Sequence, residues 1–344
     1  MRRIAAMSAG VALVLSNSPA GGESIWVKYG NQVFQGVGDA RSVAVSEAEV
    51  ASATGPLAIL WNPARLQAGG ENMLVYAHQE RFSGNVVFDV IGFNLKDSFK
   101  SKWSFALIRE GVQGIPNTTD ALLHGTGSLE SEDERIIASR VTYFNQAQWA
   151  AVLGVGRRRG EWNVGGAARI LMHRLGDNSG YGIGFDLGVY RSFSPGNSVG
   201  VTVRDVTTSW VVWESGTVER IVPQILFGDM QVVPIAPLNL SITLMGTGVL
   251  NLSGRTSSDD YSAGSFGGHL RGGIDIQYKE NFHLRVGRNP VTRYSAGLGL
   301  GFPFGDIDYA FTPSPLGTVL GTSHYISLNL RLSFLKSLKD KLSD

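Results

Sequence analysis

Apolar and polar positions alternate with a period of two along much of this chain. In HYISLNLRLSF the apolar set is Ile326, Leu328, Leu330, Leu332 and Phe334, separated by Ser327, Asn329, Arg331 and Ser333. YGIGFDLGVYR sets Tyr181, Ile183, Phe185, Leu187 and Val189 against Gly182, Gly184, Asp186, Gly188 and Tyr190. LNLSITL and HLRGGIDIQYK repeat the scheme, with Leu238, Leu240, Ile242 and Leu244 in the first and Leu270, Ile274, Ile276 and Tyr278 in the second. A period of two puts each set on one face of a strand. The runs are long enough for tilted membrane strands, and their polar faces are rich in glycine, which suits a crowded interior. Trp103, Trp162, Tyr278, Tyr294 and Phe334 fall near run ends, where interfacial aromatic girdles belong. The pattern predicts an all-β fold, a transmembrane antiparallel β-barrel with its apolar face on lipid. A charge placed at Leu328 should then be costly, and one at Ser327 much milder.

Strands are predicted near 72–79, 84–95, 101–110, 147–157, 161–174, 180–192, 196–206, 218–230, 235–246, 268–279, 281–288, 291–301, 304–312 and 321–334, about 14 in all. The second, NVVFDVIGFNL, alternates poorly, and a bulge or slip is expected there. With the N-terminus periplasmic, the inward connections are short: KDSFK, RRRG, SPG, VVP, KEN and PFG. The outward ones include residues 111–146, DVTTSWVVWESGT and GTGVLNLSGRTSSDDYSAGSFG. Short periplasmic turns and long external loops are the barrel rule.

Composition narrows the class further. Among 344 residues only 17% are charged, glycine numbers 44, and the net charge is +1. Such a balance carries no global field for nucleic acid. Cysteine is absent, which removes disulfides, thiolate metal sites and thiol nucleophiles. Arg2 and Arg3, the apolar run Ile4 to Leu15, and Ser18-Pro19-Ala20 read as a signal peptide over 1–20. The remaining divisions are a plug over 21–70, a barrel over 71–334 and a periplasmic tail, KSLKDKLSD, within 335–344. Export to the outer membrane of a Gram-negative-type cell follows, with outer-membrane lipid as the first partner.

Candidate chemistry is sparse. The six histidines, His78, His124, His173, His269, His283 and His324, lack metal-ligand spacing. His269 and His324 could serve a barrel hydrolase only beside a serine and a carboxylate. GLGLGFPFG is alternating strand and turn, not a phosphate loop entering a helix. The reading is non-enzymatic, with no cofactor and no metal. Arg169, Asp186, Arg204, Arg271, Asp275, Arg285, Asp308 and Arg331 fall on the lumen face. Both signs are present, so paired charges bracing the interior are favoured over a polar translocation path.

Before the first strand stands AILWNPARLQ. Asn62 can cap a turn begun by Pro63, and Ala64 follows. That turn fixes where the chain leaves the plug for the wall, either as a gating hatch or as a space-filling plug. The segment ARSVAVSEAEVASATGPLAILWNPARLQ resembles the N-terminal segment of the PorV/PorQ outer-membrane proteins, relatives of the FadL-type transporters, which carry Asn-Pro-Ala in this place. Arg65 stands where those proteins have glycine. VRDVTTSWVVWESGTVERIVPQILFG, RYSAGLGLGF, DIDYAF and LGTSHYISLNLRLSF are similar to their later strands. The resemblance implies a protein-secretion (type IX) accessory or scaffold that binds exported cargo or secretion-system proteins. The alternative is a FadL-like hatch-gated transporter of hydrophobic small molecules such as long-chain fatty acids. An apolar inner pocket favours transport. Because the inner faces read as glycine- and charge-rich, the scaffold is the expectation.

Overall fold

The computed structural model describes residues 24–27, 32–34, 36–70, 72–95, 97–125, 134–206, 208–252, 259–264, 266–314 and 318–334. The expected signal peptide, 1–20, and the expected tail, 335–344, lie outside them. Fourteen antiparallel strands close into a barrel. They are β1 Met73–Arg81, β2 Val86–Asn94, β3 Ser101–Asn117, β4 Thr142–Arg159, β5 Trp162–Leu175, β6 Asn178–Ser194 and β7 Asn197–Arg204. The ring continues with β8 Gln224–Ile235, β9 Leu240–Asn251, β10 Phe266–Tyr278, β11 Phe282–Arg288, β12 Ser295–Phe302, β13 Gly305–Thr312 and β14 Ser323–Arg331. Each strand pairs with its neighbour, and β14 closes on β1 through Leu328 opposite Tyr76. Closure pairs every wall strand on both sides, which a lipid environment demands.

Side-chain parity follows the alternation. Ile183, Leu187, Leu270, Leu298 and Ile326 are exposed on the outer face, while Asp186, Asp275, Asp308 and Ser327 are buried inside. Trp162 and Tyr278 sit at the short-turn end of the wall and are exposed.

The eighth strand departs from expectation. Residues 218–230 do not form one strand; Val218–Ile221 and β8 are separated at Val222-Pro223. Pro223 has no N–H for a ladder, so the break falls there. On the other side of the hairpin β7 stops at Arg204, and Asp205 takes φ 54. Ser209–Trp213 then pairs with residues 180–183 of β6 and with Val218–Ile221, whose free edge receives Ser24–Val27 in parallel. Val211 and Ile221 are buried against Val33, Phe34 and Leu171, so this hairpin covers the lumen. β9 likewise runs 240–251 rather than 235–246, after a 3-10 turn at Ala236–Leu238 in which Asn239 adopts φ 49.

The expected irregularity in the second strand is absent. β2 pairs in unbroken register with β1 and β3. Register shifts occur instead at Val112/Ile115 of β3 and Ser192/Ser194 of β6. β2 alternates poorly because both its faces are apolar: Phe88 and Val90 are buried inside, and Ile91 is exposed outside.

Candidate functional site: the plugged lumen

Residues 36–70 run through the interior as three short turns: a helix Ala40–Ala44 and 3-10 turns Pro56–Leu60 and Pro63–Gln67. Asp39 caps the first by accepting from the Ser42 N–H at 2.8 Å. Asn62 caps the third: its Oδ1 accepts from the Ala64 N–H at 3.1 Å, and Pro63 occupies the first position. The Asn62 amide does more than cap. Its Nδ2 donates to the carbonyls of Val50 and Val189, both at 3.0 Å, tying two stretches of plug to strand β6. Both polar atoms of this carboxamide are thus used, Oδ1 once and Nδ2 twice, and Asn62 is fully buried.

Glycine explains how so much backbone fits against the wall. A Cβ at Gly165 would stand 2.4 Å from the Ala64 nitrogen, one at Gly287 2.5 Å from the Ser46 nitrogen, and one at Gly188 2.1 Å from the Asn62 oxygen. These inward glycines are the imprint of the plug on the barrel rather than of an open channel.

The wall has two chemistries. On β1 to β5 the inward residues are mainly apolar, including Val75, Ala77, Phe88, Val90, Ala106, Ile108, Ala150, Val152 and Leu171, with Gln79, Ser104, Gln148 and Arg169 buried among them. Leu57, Ile59, Trp61 and Leu66 of the plug pack on them. Hydrogen bonds also join plug and wall on this side. Among them, Ser104 Oγ donates to the Pro56 carbonyl at 2.9 Å, the Gln79 amide to the Gly38 carbonyl at 2.8 Å, and the Gln67 amide to the Gly156 carbonyl at 2.8 Å. The expectation of glycine- and charge-rich inner faces, with Leu171 and Tyr190 as bulky exceptions, is therefore corrected for this half. On β10 to β14 the inward residues are mainly polar, apart from Ala310 and Tyr325, which pack on Ala40, Val43 and Ala44 of the plug. Arg285 Nε pairs with Asp275 at 2.9 Å and its Nη1 with Asp308. His283 Nδ1 lies 2.9 Å from Asp275, and the Asn329 amide donates to Asp308 at 3.0 Å. The plug meets this half by polar bonds: Ala40 N–H to Ser327 Oγ at 3.1 Å, Ser295 Oγ to the Ala44 carbonyl at 2.9 Å, and Arg271 to Glu47 at 2.6 Å. Within the plug Arg41 pairs with Glu49 at 2.9 Å. Burial pushes the Glu49 carboxyl above its ordinary range, with Arg41 opposing. Burial also lowers Arg65, whose guanidinium lies 4.3 Å over the Tyr190 ring and whose Nε donates to the Ala53 carbonyl at 3.0 Å.

The remaining charges group near the hairpin. Arg169 pairs with Asp186 at 2.9 Å and with Asp205, and sits 4.8 Å over the Phe34 ring. Ser209 also donates to Asp205. This triad pins the bend at which β7 ends. Arg204 has no ion pair among the described residues; it donates to the Leu60 carbonyl at 2.7 Å and lies over Trp61. Arg331 sits at the short-turn mouth, donating to the carbonyls of Phe302 and Pro303. Sequence reasoning missed Glu47, Glu49 and Asp205, because carboxylates in irregular segments have no parity to read. Among the described residues no cluster could hold a metal ion. His324 bonds the Tyr309 hydroxyl at 2.7 Å, outside the lumen.

No family model matches the chain, and no curated protein does. Solved structures do. The Pseudomonas putida toluene transporter TodX superposes with a TM-score of 0.53 at 11% identity, covering 85% of this chain and 96% of that one. A second crystal structure of TodX gives 0.50 at 10% identity, with coverages of 86% and 98%. A Pseudomonas aeruginosa FadL homologue gives 0.47 at 11%, with coverages of 85% and 98%. At such identities the likeness speaks for the fold, and these neighbours lend no support to a PorV/PorQ relation. The fold is that of a Gram-negative outer-membrane β-barrel of the TodX type.

Proposed function

We propose that the protein is a non-enzymatic outer-membrane transporter of hydrophobic small molecules, with residues 36–70 as its hatch. The observation that carries this reading is the apolar half of the lumen, β1 to β5, covered by the apolar side of the plug. A hydrophobic molecule can replace Leu57, Ile59 and Leu66 on that wall, because its own burial offsets the contacts it displaces. Nothing hydrophobic can replace the plug on β10 to β14 without leaving buried charges and hydroxyls unpaired. The hatch therefore opens along the apolar half and stays attached along the polar half. Likeness to a toluene transporter agrees with the reading.

Two engineered disulfides test it, and the absence of native cysteine makes them unambiguous. Pro56 Cβ stands 3.6 Å from a Cβ built at Gly92, within disulfide range, once the end of the Leu57 side chain, 2.5 Å from that Cβ, turns aside. P56C/G92C locks the apolar side. The Ser46 and Ser295 hydroxyls are 2.8 Å apart, so S46C/S295C locks the polar side. In proteoliposomes loaded with radiolabelled toluene or oleate, the oxidised first pair should stop transfer and reductant should restore it. The second pair should transfer like the native chain. Unchanged transfer through oxidised P56C/G92C would overturn the hatch.

A further inference from the structure

At the short-turn end of β4, β5 and β6, which the loop-length rule places in the periplasm, the outer face carries charge as well as aromatic rings. The β4–β5 turn is Gly160-Glu161, with Gly160 at φ 61. Arg159 stands opposite Trp162 in the ladder, and Arg157 opposite Val164. By parity both arginines face outward with those two residues, which are exposed. Arg191 reaches the same ring from β6: its guanidinium lies 5.3 Å over Trp162 and 5.0 Å over Phe193. The nearby acid is Glu161, whose carboxylate pairs with Arg191. Arg157 and Arg159 form no ion pair among the described residues.

Arg191 thus lies over the Trp162 indole, and Arg157 and Arg159 share its outward face on the neighbouring strand, at the level of the aromatic girdle. Trp162 fixes that level, since its ring belongs between hydrocarbon and headgroup. Above it the outward residues are apolar, with Val189, Leu187 and Leu153 exposed to the acyl region. Guanidinium presents parallel donors that match phosphate oxygens. With one arginine neutralised by Glu161, two positive charges remain at headgroup height. Turn exposure alone does not account for this arrangement: arginines serving only solubility gain nothing from flanking an interfacial indole.

We propose that Arg157, Arg159 and Arg191 around Trp162 form a binding site for the phosphate of an anionic phospholipid, such as phosphatidylglycerol, in the periplasmic leaflet. The site is independent of the transport reading. It holds one lipid against the wall beside β4 to β6.

The experiment uses the folded full chain in nanodiscs of phosphatidylethanolamine with one-fifth phosphatidylglycerol, exchanged into detergent. Retained lipid is then counted by mass spectrometry. The native barrel should retain phosphatidylglycerol enriched about fivefold or more over the bulk ratio. R157Q/R159Q/R191Q should return retention to that ratio, while R174Q, at the other end of β5, should leave it unchanged. Inorganic phosphate at millimolar concentration should not displace the lipid, because the acyl chains contribute to binding. Bulk-ratio retention by the native barrel, equal loss in R174Q, or enrichment surviving in the triple variant overturns the site. Displacement by phosphate alone would make it a free-anion site and overturn the lipid assignment. Because the native enrichment is read without any variant, a triple variant that failed to assemble would still leave the proposal exposed to refutation.

Discussion

Across β1 to β5 the inner wall presents Val75, Ala77, Val90, Ile108 and Val152, and the plug answers with Leu57, Ile59 and Leu66. Across β10 to β14 it presents Asp275, Arg285, Asp308, Ser295 and Ser327, and the plug answers with backbone and with Glu47. Both halves are closely packed and both are buried. They differ in what can take the plug's place. Apolar contact is non-directional and any molecule of suitable shape can supply it. A buried ion pair or hydroxyl accepts only a partner with matching geometry. One wall thus holds the plug chiefly by apolar contact and the other chiefly by directed polar bonds.

The largest test of that contrast removes Arg285. Its loss leaves Asp275 and Asp308 buried without their shared cation, and breaking such a pair costs about 3–5 kcal/mol. Arg285→Met should be as harmful as Arg285→Ala, since filling the volume does nothing for two stranded carboxylates. On the apolar wall, by contrast, Ile59→Met conserves volume and should cost under about 1.5 kcal/mol. Urea unfolding of the three variants, followed by heat-modifiable mobility, reads these values. Equal costs for Arg285→Met and Ile59→Met would erase the distinction between the halves.

A second pair separates the two faces of one strand. Leu328→Arg puts a charge on the lipid face and should cost about 2–4 kcal/mol near the bilayer midplane, reducing assembly. Ser327→Arg is not the mild change that the alternation alone predicts. Ser327 is 2% exposed and its hydroxyl accepts from the N–H of Ala40, the first residue of the plug helix. Arginine there should leave the barrel assembled and displace the plug. Planar-bilayer conductance should rise for Ser327→Arg, and a closed Ser327→Arg barrel would show that the polar half does not hold the plug.

The strands were legible because parity is local: Ile326 and Leu328 declare a face without reference to the rest of the fold. Most predicted strands lie within a few residues of those observed, and the failures have physical causes. The break at 222–223 follows Pro223, which lies inside the expected strand 218–230. The two chemistries of the lumen were harder to see. NVVFDVIGFNL looked irregular because both faces of β2 are apolar, one toward lipid and one toward Ile59 and Leu57. Loss of alternation in a regular strand is thus a signal of the apolar half, although from sequence alone it reads as a bulge or slip. The glycines Gly165, Gly188 and Gly287 were visible, but which backbone presses on them belongs to tertiary structure. Asn62 was legible as a cap. Its bonds to Val50 and Val189, 12 and 127 residues away, were not.

Asn62 accordingly supports a third, smaller expectation. A lost cap alone costs about 0.5–2 kcal/mol. Asn62→Ala also leaves the carbonyls of Val50 and Val189 without this donor, so the upper end, about 2 kcal/mol, is expected. Asn62→Asp restores the cap acceptor but donates to neither carbonyl, and it buries a charge. It should therefore be worse than alanine. Protease sensitivity of the plug in the assembled barrel orders the three side chains, and aspartate outperforming alanine would mean that the cap is the whole role.

The smallest effect is on pH, and it belongs to the polar side. Glu49 is 1% exposed, pairs with Arg41, and accepts from Ser42, with Asp39 and Arg285 also acting on it. Burial raises its carboxyl above the ordinary value, so the seated plug binds the proton more tightly than a released plug does. Stability is linked to that difference and falls as pH rises wherever the seated state holds more protons. Glu49's contribution is thus fully present below the ordinary carboxyl pKa and is lost as pH climbs through the raised one. The plug should be best protected in mild acid and slightly looser at neutral pH. Arg41 limits the loss, because the carboxylate formed at higher pH finds a guanidinium 2.9 Å away. Glu49→Gln carries no titrating group and should flatten the pH dependence of plug proteolysis while leaving barrel unfolding unchanged. Protection that instead increases from pH 4 to pH 7 in the native chain, and flattens in Glu49→Gln, would reverse the sign and make the ionised Arg41–Glu49 pair the lock.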